Sequence, residues 1–145
     1  PLHPIYRAAD RGADQALLKR AGRLEDSYLN LTGNHLQKWS DLQFEHGLIQ
    51  QRASRFLRPW SRKLAPFEPL KLRRITQGLR EAARTGALFH LWWHPHNFAR
   101  NLDKNIENLK LILDEFEFYR NKYNMASLNM EDIIDMVKAN FYHEN

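Results

Sequence analysis

The chain has 145 residues, 43% apolar and 27% charged, with no cysteine. That is the balance of an ordinary globular domain, and it excludes disulfides and thiolate metal sites. The net charge of +5 is uneven: from Arg52 to Arg84 ten Lys/Arg stand against Glu68 and Glu81, the residues before balance to zero, and those after carry −3.

A basic stretch of this kind attracts phosphates, acidic glycans and anionic membrane surfaces, or is simply a solvated helix face. No apolar run approaches the ~20 residues of a membrane-spanning helix, so no membrane span is expected. The lack of cysteine fits a cytoplasmic location.

In chain order, Ala13 to Leu24 predicts a short helix with Leu17, Leu18, Ala21 and Leu24 on one side. Asn30 to Asn34 reads as a turn, since Gly and Asn tolerate positive φ. Leu36 to His46 predicts a second helix, with Leu36, Trp39, Leu42 and Phe44 partly periodic and Gly47 as its cap. Arg58-Pro59-Trp60 interrupts any helix, because Pro59 disfavours the α conformation at Arg58.

From Leu70 to Arg84 the spacing of Leu72, Ile75, Leu79 and Ala82/Ala83 is helical, and Gly86 is its stop. Ala87 to Trp93 is short, aromatic-rich and bounded by Gly86 and Pro95, which predicts a buried, central parallel strand. Asn101 to Tyr123 is the longest helix, with Asn101 as N-cap and Leu102, Ile106, Leu109, Leu113, Phe116 and Tyr119 on one face. Ser127 and Leu128 predict a last short strand. Asn129 then caps a final helix that turns Ile133, Ile134, Val137 and Phe141 inward. This alternating order favours an α/β fold with a parallel sheet.

The stretch Phe89 to Phe98 holds three histidines. On a strand, His90 and His94 lie about 13 Å apart at ~3.3 Å per residue. Two ligands so separated do not share one zinc, whose bonds to nitrogen are about 2.0–2.1 Å. His94 falls where the strand ends, the position at which parallel α/β folds build their sites. A histidine there can deliver a proton near neutral pH, or it can merely satisfy loop carbonyls. His90, in mid-strand, reads as a hydrogen-bonded interior residue. His96 and Asn97 either line the same mouth or cap the loop. Arg55 and Arg58 suit two-pronged binding of a carboxylate or another anion.

Three stretches together resemble the NodB-homology polysaccharide deacetylases, carbohydrate esterase family four. Ala53 to Trp60 is similar to the family's Arg-Pro-aromatic motif. Leu91-Trp92-Trp93-His94 resembles its last, histidine-ending strand. Ser127 to Ile133 resembles the segment that opens its final helix.

The resemblance implies the C-terminal part of a (β/α) barrel, and a complete barrel needs roughly 250 residues. It also implies metal-dependent de-N-acetylation of an N-acetylated glycan, with zinc or another divalent metal held by an Asp and two histidines of the full-length parent. Carried over, His94 is the general acid and Arg58, or else Arg55, orients the base. Trp60 lines the acetyl pocket, its N–H helping to bind the oxyanion. The family's Asp-Asp pair followed by His-x-x-x-His is missing here, so no metal is expected on this chain alone. The competing expectation is a non-catalytic basic helical module that binds nucleic acid or another anionic partner. No nucleic-acid motif accompanies it.

Overall fold

The computed structural model describes residues 21–22, 24–42, 44–45 and 48–143, with side chains described except at 44–45 and 140–143. The predicted Ala13 to Leu24 helix lies almost wholly outside them, as does Gly47. What is described is helix-rich with a small amount of sheet.

Strands β1 (Phe44–Glu45) and β2 (Leu48–Ile49) form an antiparallel pair. Strands β3 (Arg55–Phe56) and β4 (Leu91–Trp92) form a parallel one. The helices are α1 (Glu68–Thr85), the single turn α2 (Pro95–Phe98), α3 (Leu102–Tyr123) and α4 (Met130–His143). α1 and α3 pack side by side, and α1 joins β3 to β4 in the chain.

α1 follows its predicted span. Pro69 occupies its first turn, where a missing N–H costs nothing. Gly86 stops it at φ 67°, a left-handed conformation that costs a residue with a Cβ about 1 kcal/mol or more. Ile75, Leu79 and Ala82 are buried as their spacing requires. Ile75 and Leu79 join Leu57, Phe98, Ile112 and Tyr119 in the main core. A second cluster joins Leu42, Leu88, Ile133 and Val137 and seats α4.

The cap of α4 is as predicted. Asn129 Oδ1 accepts the Glu131 and Asp132 N–H groups at 2.8 and 2.9 Å, and Asp132 Oδ2 accepts the Asn129 N–H at 2.8 Å. Asn129→Ala is expected to cost about 1 kcal/mol, read as a lowered urea midpoint at unchanged slope.

Four expectations are corrected. Leu36 to His46 is not a helix: a 3-10 turn at Trp39–Asp41 leads into β1. Its backbone is committed elsewhere, because Gln37 exchanges both main-chain hydrogen bonds with Leu88. Ser127 and Leu128 form no strand and lie in an irregular segment between α3 and α4. The strand ending near His94 is only two residues long and edges a two-stranded sheet rather than standing at the centre of a larger one.

The fourth correction concerns α3, whose buried positions are Asn105, Asn108, Ile112 and Tyr119. Leu102, Ile106 and Leu113 of the expected inner face are exposed. Two asparagines therefore take the place of an aliphatic seam, and both make specific bonds inward.

Candidate functional site

β3 and β4 run parallel, so Leu57-Arg58-Pro59-Trp60 and Trp93-His94-Pro95-His96 leave the sheet at the same, carboxyl end. The Leu57 N–H donates to the Trp92 carbonyl at 2.8 Å and fixes where the two loops diverge. Pro95 then starts the α2 turn, which the Asn97 N–H closes onto the His94 carbonyl at 3.0 Å.

The His94 ring stacks on His96 with centroids 5.2 Å apart, meets Trp92 edge-on at 5.0 Å and lies 5.8 Å from Phe56. His94 and His96 are exposed, and Asn97 is partly so. The mouth thus has two imidazoles open to solvent on an aromatic floor. Such a floor holds a ring in place while its edge nitrogen stays free to meet a ligand.

Asn105 joins the two loops. Its Oδ1 accepts the Trp60 N–H at 2.6 Å and its Nδ2 donates to the Phe98 carbonyl at 3.0 Å. Asn101, expected as a side-chain cap of α3, instead donates from Nδ2 to the Trp60 carbonyl at 3.3 Å. The Trp60 N–H expected to meet an oxyanion is therefore already engaged, and Trp60 belongs to the loop scaffold. Periodicity hid Asn105, since a polar residue on a helix reads as solvent-facing.

The two arginines separate cleanly. Arg55 is buried and pairs through Nη1 with Asp26, which has no exposed surface. Asp26 also accepts the Leu31 and Thr32 N–H groups at 3.1 and 3.0 Å and the Thr32 hydroxyl at 2.9 Å. Arg55 and Arg74 both donate to the Gly33 carbonyl, and Arg74 also donates to Asn34. The predicted Asn30 to Asn34 turn, with Gly33 at φ 83°, wraps this pair of guanidinium groups.

Arg58 meets no carboxylate among the described residues. Its carbonyl accepts from Lys71 Nζ at 3.0 Å, while Lys71 also pairs with Glu68 at 2.6 Å. Burial lowers the Lys71 pKa against the opposing pull of Glu68. Burial and Glu68 raise that of Tyr28, which the nearby Arg58 guanidinium lowers. Glu68 Oε2 also accepts from Asn108 Nδ2 at 2.7 Å.

His90 is half-buried, and against the expectation of a hydrogen-bonded interior residue its buried Nδ1 has no partner among the described residues. It lines an apolar cavity of about 730 Å³ with Phe89, Leu91, Trp93, Ile133 and Met136, a space whose lining does not include His94 or His96.

Among the described residues, no group of three or more His, Asp or Glu is placed to hold a metal ion. The described residues thus do not fit a catalytic zinc, which needs at least three protein ligands. No described helix is long and apolar enough to cross a membrane. No family model, curated protein or solved structure matches the chain.

Proposed function

We propose that this chain is the C-terminal part of a polysaccharide deacetylase-like (β/α) barrel, and that His94 protonates the departing amine when an N-acetylated glycan is hydrolysed. The observation that carries this reading is the parallel β3–β4 pair, which brings the Arg-Pro-aromatic loop and the histidine-ending strand to one mouth. It is the relation that the resemblance requires of these two motifs.

Within this reading, His94 holds a proton for the leaving nitrogen, and Phe56 and Trp92 keep its ring facing the mouth. His96 and Asn97 lie next to it to meet the sugar. Arg55 orients a carboxylate, but that of Asp26 inside the fold; this leaves Arg58 as the arginine available to a base outside the described residues. No step runs through a metal on this chain. The barrel beyond β3 and β4, the glycan substrate and the parent enzyme's divalent metal all belong to the proposal.

The test is made on the chain and on a longer protein that contains it. The chain alone is expected to retain no zinc after dialysis and to release no acetate from an N-acetylated glycan. The longer protein is expected to retain zinc and to release acetate. Stoichiometric zinc on the chain alone overturns the partial-site reading. A metal-loaded longer protein that releases no acetate from any N-acetylated glycan overturns the deacetylase reading.

A further inference from the structure

We propose that the exposed face of α1 is a peripheral docking surface for an anionic lipid bilayer. This does not depend on the chemistry at His94.

Leu70, Arg73, Gln77, Arg80 and Arg84 are all exposed. At about 100° per residue they fall within an arc of roughly 80°. Arg73 and Arg84 lie about 16 Å apart along the axis. The 3-10 helix Arg62–Phe67, which runs straight into α1, adds exposed Arg62 and Lys63.

Burial divides the basic stretch in two. Arg55, Lys71 and Arg74 are buried, each within 4.0 Å of a carboxylate. Arg62, Lys63, Arg73, Arg80 and Arg84 form no ion pair among the described residues. Glu81 stands at the margin of the face, where Asn34 donates to it. Arg80 and Glu115 of α3 both act on the Tyr119 hydroxyl.

Unpaired cations alone suit a nucleic acid as well as a membrane. Two apolar residues decide between them: Leu70, on the arc itself, is 38% exposed, and Phe67, in the turn before α1 with its ring edge-on to Tyr28, is 48% exposed. A leucine offers a phosphate backbone nothing, and bases stack on planar rings. Apolar side chains next to unpaired cations are what an interfacial helix presents to a headgroup layer. The stretch Arg52 to Arg84 carries +8 and the residues after it −3, so positive charge is concentrated on the segment that contains α1 and draws it to a negative surface.

The experiment is co-sedimentation of the 145-residue chain with phosphatidylcholine vesicles, with and without phosphatidylserine, across a salt series. Binding is expected only with phosphatidylserine and should weaken as salt rises. The combined Arg73→Glu, Arg80→Glu and Arg84→Glu variant is expected to lose roughly 100-fold in affinity. Phe67→Ser with Leu70→Ser is expected to lose about 10-fold. Both should keep the helical circular dichroism. Should the triple variant unfold, Arg73→Gln and Arg84→Gln singly must each weaken binding several-fold.

Equal binding to neutral vesicles, or binding indifferent to charge reversal, overturns the proposal. So does tighter binding to duplex DNA than to phosphatidylserine vesicles when Phe67→Ser leaves the DNA affinity unchanged; that result assigns the face to nucleic acid.

Discussion

In a longer protein that contains this chain, and on the proposed deacetylase reading, His94→Ala is expected to lower kcat by about 10²–10⁴-fold, the usual loss on removing one positioned acid–base group. Metal content and KM should change little, because His94 belongs to no group of potential metal ligands among the described residues and sits at the mouth's surface. Folding should change little as well, since an exposed ring leaves no cavity. Rate, zinc content and melting temperature are measured on the purified variant. Loss of zinc would make His94 a ligand rather than an acid. A near-normal kcat would remove it from the reaction, and the proposed chemistry with it.

Arg55→Ala is expected to be the most damaging single change to folding, at about 3–5 kcal/mol. It leaves the carboxylate of Asp26 without exposed surface and without the Arg55 guanidinium, while Arg74 Nη2 stands 4.0 Å from the nearer oxygen. Domains of this size are stable by only about 5–15 kcal/mol. Urea denaturation with a double-mutant cycle provides the test. Asp26→Asn with Arg55→Met should cost less than the sum of the single changes, because both charges leave together. An Arg55→Ala variant within 1 kcal/mol of wild type would mean that water reaches Asp26 and that the pair is not buried in solution.

These two residues mark what the sequence allows to be read. Periodicity located α1, α3 and α4, and single residues located their ends: Gly86 at positive φ and Asn129 with its reciprocal bonds to Asp132. These signals are local, set by helix geometry and by the unpaired groups of a helix terminus. The position of His94 after a short strand was legible for the same reason.

What escaped was decided by partners far away in the chain. Gln37 exchanges its backbone bonds with Leu88, more than fifty residues on, and no spacing near Leu36 reports it. The inward face of α3 was misjudged because Asn105 and Asn108 satisfy the Trp60 N–H and Glu68, needs that exist only once the loops are in place. Arg58 was preferred to Arg55 on the resemblance alone, and the burial of Asp26 supplies the physical ground that separates them.

The bond pattern of Asn105 also sets a rule for anyone transplanting this mouth to another scaffold. One amide grips the main chain of both loops, so neither the Arg58-Pro59-Trp60 segment nor the His94 to Phe98 segment is a modular part. A graft that carries the two loops without a helix presenting an asparagine at that height leaves a donor and an acceptor competing for water, and the loops then drift independently. The smallest portable unit is a tripod of two loops and one helical turn.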